Sequence, residues 1–283
     1  MKKTLIALAV AASAVSGMAH AWTSGDFNGS VDIGGNIIAD NFSKKWEWAV
    51  GNSINGFNNK LTDLTENGKK LTITVQGNKP ILLGRTTEAF ATPTAGGWGA
   101  IPLIALTDYE GQAVTLESPA GETNKGLASF VLPMKDATGA KVGSVKVNAS
   151  YAGVALGSKG SYANLFSVYS RDVDGIFNGG IPTNIAWSEL FSGVAAAERT
   201  ALFGSLSQAD MTTQLQAVEP AAAANVRDYG HASTPMAASV NSATSAAYAL
   251  GVADGQTIEA TFDNAVTAST EWSAPLNVAV TYN

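Results

Sequence analysis

The chain of 283 residues contains no cysteine. That absence excludes disulfides, thiolate metal sites and cysteine nucleophiles in one step. Charge is also sparse, because Asp, Glu, Lys and Arg together make up 14% of the residues, and the formal net charge is -6. Phosphate binding needs clustered Lys and Arg, so nucleic acid is not expected as a partner. Stability must therefore come from packing alone or from a protein partner.

The first 21 residues have the features of a secretory signal peptide. A positive start at residues 1–3 precedes an apolar run at residues 5–15, and small residues follow near position 21. We expect cleavage after Ala21, which removes residues 1–21 and leaves a mature chain that begins at Trp22. The apolar run is too short to span a bilayer, and no later run reaches about 18 apolar residues. The sequence therefore predicts an exported protein.

Alternation of apolar and polar residues predicts an all-β majority, with half-buried strands arranged in a sandwich. The clearest predicted strands are residues 46–50, 71–75, 142–151 and 258–262. Two shorter apolar runs, at residues 101–106 and 127–132, stop around Pro102 and Pro133. Because proline cannot donate to a ladder, these runs suggest edge strands or strand ends.

The composition changes between about residues 152 and 245, where Gly, Ala and Ser become frequent and strand alternation fades. Residues 207–210 resemble a capping box, and apolar residues follow at helical spacing until Pro220, which predicts a short helix. The alanine-rich residues 194–199 predict a second helix. Residues 221–247 are small and polar, and we predict a loop there. The whole stretch is interpreted as an insertion.

The mature N-terminus holds an alternating strand without a hairpin partner. Within residues 22–35, the positions Phe27, Gly29, Val31 and Ile33 alternate with polar residues, and a flexible glycine pair follows. A polar stretch separates this strand from the next predicted one, so pairing outside its own domain is one interpretation. The alternative is an ordinary first strand of a self-contained sandwich, and the pattern alone gives it about equal weight.

The C-terminus also alternates, and the chain ends inside the predicted strand. The apolar positions that face one way are Trp272, Leu276, Val278, Val280 and Tyr282. A terminal strand with an exposed edge is an aggregation hazard unless something covers it, and a detached N-terminal strand from the next molecule is a candidate cover. Main-chain hydrogen bonds would then supply the ladder, and side-chain pockets would set the register.

Five segments carry a resemblance to a known family: residues 1–10, 25–30, 79–86, 107–111 and 272–279. They resemble the FaeG and ClpG family, the major subunits of enterobacterial chaperone-usher fimbriae of the kind found in enterotoxigenic Escherichia coli. The resemblance covers nearly the whole chain. It is specific in the outer thirds and thins in the predicted insertion.

The resemblance implies an incomplete immunoglobulin-like β-sandwich that is completed by donor-strand exchange. Residues 22–35 correspond to the N-terminal donor strand extension, residues 36–151 and 246–283 to the pilin core, and residues 152–245 to an inserted variable region. A periplasmic chaperone supplies the missing strand first, and a neighbouring copy then replaces it at an outer-membrane usher. The implied location is a cell-surface fimbrium reached through the periplasm. Thr270 stands where many pilus subunits have a glycine, and the missing cysteines are shared by this branch.

In the FaeG branch the major subunit is itself the adhesin, which implies that the insertion binds host cell-surface glycans. A glycan site needs an aromatic face against the sugar and planar polar groups on its hydroxyls. The segment that fits best contains Tyr162, Phe166, Tyr169, Arg171, Asp172 and Asp174. Trp187 and Glu189 form a weaker second candidate. The alternatives are that these aromatics pack the insertion while the charges face water, and that the chain is a purely structural fibre subunit.

Enzyme, metal and cofactor functions are not expected. His231 is the single histidine after the signal peptide, which excludes a histidine metal cage and leaves one base for a serine hydrolase. Asp172 and Asp174 resemble a calcium loop only superficially, because Ile176 stands at the third acidic position and no terminal Glu follows at the required spacing. The glycosylation sequon at Asn148 is interpreted as chance, since the protein is predicted to be bacterial.

Overall fold

The computed structural model describes residues 34–36, 40–51, 54–92, 97–170, 175–233, 236 and 242–282. Its contacts divide the chain into two units, Met1–Ile38 and Ala39–Asn283, and every helix and strand given below lies in the second. The predicted signal peptide and the predicted donor residues Phe27, Gly29, Val31 and Ile33 lie outside the described residues. Within the described part of the chain, no helix is long and apolar enough to cross a membrane.

Twelve strands are present in the described residues. Ten form the larger sheet: β1 Trp46–Val50, β2 Lys70–Thr74, β3 Lys79–Thr86, β5 Leu127–Asp136, β6 Lys141–Lys159, β7 Tyr162–Val168, β8 Val226–Ala232, β9 Thr244–Val252, β10 Thr257–Phe262 and β11 Trp272–Ser273. The smaller sheet pairs β4 Pro102–Asp108 with β12 Leu276–Tyr282. Three helices follow β7: α1 Gly193–Phe203, α2 Gln208–Gln216 and α3 Pro220–Ala223. The fold is thus an all-β sandwich with a small helical insertion, as the sequence predicts.

The larger sheet is organised around β6. Its main path runs β1–β3–β9–β6–β10–β2, and all its pairs are antiparallel except β7 with β8. The first half of β6 pairs with β5 and β10, and the second half pairs with β7 and β9. This one strand of 19 residues therefore links the strands that pair with its first half to the strands that pair with its second half.

Two hydrophobic cores lie on this sheet. The sandwich core contains buried residues of the larger sheet together with Ile104 and Leu106 of β4. The helix core lies on β6 and β7, where Val154 and Leu165 pack with Met211 and Leu215 of α2. Because helices cover this part of the sheet, the strands there are buried on both faces. All nine residues of β9 are buried, and so are residues 149–156 of β6.

Both predicted helices are confirmed, and local capping explains where they begin. The Ser192 hydroxyl accepts a hydrogen bond from the Ala195 N–H at the start of α1, and Gly204, with φ +100°, is the C-cap that follows the helix. At α2 the Ser207 hydroxyl accepts from the Asp210 N–H at 3.2 Å, and the Asp210 carboxylate accepts from the Ser207 N–H at 2.8 Å. These reciprocal bonds are the predicted capping box.

The four clearest predicted strands are confirmed as β1, β2, β6 and β10, whereas the predicted loop is wrong. The predicted loop at residues 221–247 contains the end of α3, all of β8 and the start of β9. At the start of β9 both faces of the strand are buried, so its small residues need no alternation, whereas β8 is largely exposed and its polar residues resemble those of a loop. The run at residues 127–132 was predicted to be an edge strand or to end near Pro133. Pro133 lies inside β5 opposite Ser144, and among the described strands β5 pairs there with β6 alone, so the edge alternative is confirmed and the strand end is not. Proline is tolerated in a ladder where its missing N–H would point away from the partner strand.

Candidate functional site: an apolar groove between the first and last strands

The last strand, β12, has one paired and one unpaired edge. Along all seven residues it pairs with β4, from Leu276 opposite Asp108 to Tyr282 opposite Pro102. Within the described ranges no other strand pairs with it. The N–H and C=O groups on its second edge are therefore available to a further strand, as on any sheet edge.

The two faces of β12 differ in exposure. Its apolar residues Leu276, Val278, Val280 and Tyr282 are half-buried and pack against the sandwich core, whereas the residues between them are exposed. The predicted alternation is thus correct for these four positions. It leaves a row of apolar side chains only partly covered by the rest of the described chain.

A groove runs beside these side chains. Its wide part, of about 1370 Å³, lies against Leu276 and Val278. The wide part is floored by apolar residues of the larger sheet, among them Leu71, Phe130, Leu132, Val145 and Ile258. Its narrow part, of about 350 Å³, is lined by Trp48, Ala49, Val50, Leu82, Val278, Val280 and Tyr282. Because both parts are lined by Val50 and Val278, they are adjoining sections of one groove between β1 and β12.

A hydrogen bond joins the two sides of the groove at its narrow end. The Trp48 indole Nε1 of β1 donates to the Tyr282 hydroxyl of β12 at 2.9 Å. Burial raises the pKa of the Tyr282 phenol, and the hydrogen bond from Trp48 opposes only part of that rise. The phenol therefore stays neutral near pH 7.

The predicted continuous C-terminal strand needs one correction. Trp272 lies in β11, which pairs with β5 of the larger sheet, whereas β12 belongs to the smaller sheet. Residues 274–275 separate the two strands, and Pro275 cannot donate to a ladder. Trp272 nevertheless lines the wide part of the groove. All five predicted C-terminal residues therefore border one groove, although they lie in two sheets.

Three of the residues predicted for glycan binding, Tyr162, Phe166 and Tyr169, lie in the described chain and stand apart from one another. Tyr162 begins β7, with the Arg227 guanidinium 4.0 Å from its ring centroid, and Tyr169 follows the other end of the strand. They are seven positions apart along extended chain, which is about 23 Å. Phe166 is 7% exposed and belongs to the sandwich core, which excludes it from a surface site. The remaining predicted residues, Arg171, Asp172 and Asp174, lie outside the described residues.

Tyr169 instead joins an aromatic cluster with Trp187, Phe191 and His231. The ring centroids of Trp187 and His231 are 4.2 Å apart, those of Tyr169 and Trp187 are 5.6 Å apart, and those of Phe191 and His231 are 5.1 Å apart. Trp187 is 41% exposed and Phe191 is 60% exposed. The aromatic cluster therefore presents exposed aromatic surface within the insertion.

Glu189 lies beneath this cluster. It is 2% exposed, and its carboxylate oxygen lies 2.8 Å from the His231 Nδ1. A buried carboxylate needs such a partner, and the contact fixes the imidazole against the Trp187 ring. Sequence reasoning missed Phe191 and considered His231 only as a catalytic base. The signal that could have found the cluster is the presence of two large aromatic residues, Trp187 and Phe191, close together in a stretch rich in Gly, Ala and Ser.

An all-β sandwich with an unpaired strand edge beside an apolar groove is a module suited to assembly with other chains. The chain matches, over residues 1–283, a K88 family model described as "Fimbrial, major and minor subunit". The chain therefore belongs to the K88 family of fimbrial subunits, as the sequence resemblance predicts. These are structural subunits of a cell-surface fimbrium and not enzymes.

Individual relatives agree with this assignment. The chain is 63% identical over 285 residues to K88 fimbrial protein AD and 62% identical over 285 residues to K88 fimbrial protein AB, both from Escherichia coli. It is 30% identical over 302 residues to the F41 fimbrial protein of Escherichia coli. Each alignment covers the whole of both chains.

Proposed function

We propose that the chain polymerises by strand donation, in which residues 25–33 of one copy insert into the groove of the next. The observation that carries this proposal is the unpaired edge of β12 beside the apolar groove. The lengths also agree, because positions 27–33 and strand β12 both span seven residues with four positions on one face. An extended segment of that length can pair with the whole of β12.

The donated side chains suit an apolar groove. Phe27, Val31 and Ile33 each contribute roughly 1.5–3 kcal/mol when they move from water into an apolar site. Backbone hydrogen bonds to β12 add direction, since they satisfy the edge groups that an exposed strand leaves unpaired. We extend the proposal to export through the periplasm, where a chaperone covers the groove until an outer-membrane usher brings a second copy.

The proposal assigns a role to each segment of the chain. Residues 22–35 are the donor extension, residues 36–151 and 246–283 form the pilin core, and residues 152–245 are the insertion. The helices of the insertion lie on the larger sheet and are not part of the groove lining. Assembly and any activity of the insertion therefore use different surfaces.

A pair of substitutions in the donor segment tests strand donation. Val31→Asp places a carboxylate where the apolar groove would receive it, and we expect chains that fold with the chaperone but form no fibres. Ser30→Asp is the matched control, because its side chain faces the other way, and it should assemble normally. Fibre yield by sedimentation and electron microscopy gives the readout. Fibres from Val31→Asp chains, or from chains lacking residues 25–33, would show that the donor assignment is wrong.

We also propose that the insertion mediates adhesion to host cell-surface glycans through the aromatic cluster. The exposed rings of Trp187 and Phe191 support this, since sugars lay their apolar faces against aromatic rings. The polar partners would include the predicted residues Arg171, Asp172 and Asp174. The competing proposal is a purely structural fibre whose adhesion resides in another protein.

Binding of assembled fibres to a glycan panel separates the two proposals. We expect Trp187→Ala fibres to lose at least about tenfold in binding, because truncation of an aromatic residue that anchors an interface costs on the order of 2 kcal/mol. Trp98→Ala is the matched control, as Trp98 is 63% exposed but lies outside the insertion. Equal binding by both variants, or no binding by the parent fibre, would favour the purely structural subunit.

A further inference from the structure

The two sides of the groove are held by different sheets. Strand β1 pairs with β3 in the larger sheet, and β12 pairs with β4 in the smaller one. Within the described residues no ladder joins β1 to β12. The hydrogen bond from Trp48 to Tyr282 crosses directly from one side to the other. The bond therefore restricts the distance between β1 and β12. An inserted strand would meet both of these strands.

The Trp48 indole is held firmly on the β1 side. It packs over the backbone of Gly84 so closely that a Cβ at that position would collide with the ring. The rings of Trp46, Phe177 and Tyr248 surround it with centroids 6.1–6.3 Å away. These contacts on the β1 side restrict the rotation of the indole and therefore the direction of its Nε1 donor.

Tyr282 occupies the matching place on the β12 side. It is the last described residue of the strand, and it lies opposite Pro102 of β4. The section of the groove that this residue lines has a volume of about 350 Å³, against about 1370 Å³ for the section that Leu276 lines. The hydrogen bond thus lies at the smaller section of the groove.

We propose that the hydrogen bond between Trp48 and Tyr282 is a fixed end of the groove that sets the distance between β1 and β12 and slows the release of an inserted strand. This inference rests on the strand donation proposed above and adds two positioning residues to it. Side chains that line the groove without a polar contact, such as Val280, can shift with the strand. A directional bond to an anchored indole resists that shift, because its energy falls steeply with distance and angle.

Tyr282→Phe tests the inference with the smallest change, since it removes the hydroxyl and keeps the ring. We expect Tyr282→Phe fibres to dissociate into subunits about 2–10 times faster than parent fibres at a fixed temperature in detergent, the range for one hydrogen bond. Trp48→Phe removes the donor and should act in the same direction. The double variant should dissociate no faster than the faster single variant. Tyr229→Phe is the control, as this exposed tyrosine of β8 should leave the rate unchanged.

The outcomes distinguish this inference from strand donation itself. The inference is wrong if Tyr282→Phe fibres dissociate at the parent rate. It is also wrong if the effects of the two single substitutions on the rate multiply in the double variant. Strand donation itself would stand in both cases. A merely structural bond would lower the unfolding temperature of the unassembled chain and leave the dissociation rate unchanged. Should Tyr282→Phe yield too few fibres, Trp48→Phe carries the same measurement. If fibres form from chains that lack residues 25–33, the proposal of strand donation is itself wrong.

Discussion

Strands β9 and β12 are both apolar, yet they lie in opposite situations. Every residue of β9 is buried, because the sandwich core covers one face and the helices cover the other. In β12 the alternate residues are only half-buried, and one edge is unpaired in the described chain. The helix-covered side is thus completed by the chain itself, whereas the groove side offers a surface that a second chain can complete.

The difference extends to the polar contacts of the two sides. On the helix-covered side, Gln214 of α2 accepts hydrogen bonds from the Thr86 and Ser245 hydroxyls at 2.9 and 2.7 Å, and its amide donates to the Thr86 carbonyl at 2.7 Å. On the groove side, the backbone groups along one edge of β12 have no strand partner in the described residues. Internal satisfaction stabilises a fold, while an open edge favours association.

The largest effect should come from a charge in the groove. Val280→Asp places a carboxylate in the narrow part, where an inserted strand would bury it without a partner at a cost of several kcal/mol. We expect folded chains that form no fibres, as measured by sedimentation. Thr281→Asp, on the exposed face of the same strand, should assemble like the parent. If Val280→Asp chains assemble into fibres, the groove is not the surface that a second chain completes.

A cavity on the helix-covered side should reduce stability and spare assembly. Leu215 is fully buried in the helix core, so Leu215→Ala should lower the free energy of unfolding by about 2–5 kcal/mol. Denaturant unfolding measures the change. Leu202→Ala, at a half-exposed position of α1, should cost less than about 1 kcal/mol. Equal costs for the two variants would contradict the helix core.

Removal of the polar contact between α2 and the sheet should have a smaller effect. Gln214→Ala leaves the Thr86 and Ser245 hydroxyls without their shared acceptor, and we expect a loss of about 1–3 kcal/mol in unfolding free energy. Gln216→Ala, exposed on the same helix, should change it by less than about 0.5 kcal/mol. Thermal unfolding of both variants checks this. Similar values would mean that water replaces the contact at no cost.

Alkaline pH should act through two buried tyrosines of the sandwich core. Burial raises the pKa values of Tyr151 and Tyr248 far above their usual value near 10. Above pH 10 the unfolded chain releases these protons while the folded chain keeps them, so stability falls as pH rises. Between pH 10 and 11 the loss is about 1 kcal/mol for each tyrosine.

Comparison of the parent with Tyr248→Phe isolates one of these contributions. The variant loses the hydrogen bond from the tyrosine hydroxyl to the Gly180 carbonyl, so it should be less stable near neutral pH. Its unfolding free energy should then fall less steeply above pH 10. Parallel curves for the two chains would show that Tyr248 ionises equally in both states.

Sequence patterns predicted the groove side better than the helix-covered side. Strand β1 was predicted at residues 46–50, where Trp46 and Trp48 face inward between outward-facing residues. Strand β9 gave no alternating pattern, since both its faces are buried and alanine satisfies either environment. Burial on both faces removes the very periodicity from which a strand is predicted.

The candidate site was predictable only in part, for a related reason. The alternation from Leu276 to Tyr282 marks one side of the groove, because neighbours along a strand share a face. That Trp48 meets Tyr282 could not be predicted, since 234 positions separate them along the chain. The aromatic cluster likewise depends on the parallel pairing of β8 with β7, which brings His231 opposite Ser167.

Strand β6 has a mechanical consequence for any filament built from this subunit. Its hydrogen bonds to β5, β10, β9 and β7 lie along one continuous backbone. A force along this strand would load those bonds in shear together, and the rate of forced unfolding is set by the unfolding barrier. The strand therefore ties the part of the larger sheet that lies in the sandwich core to the part that lies under the helices.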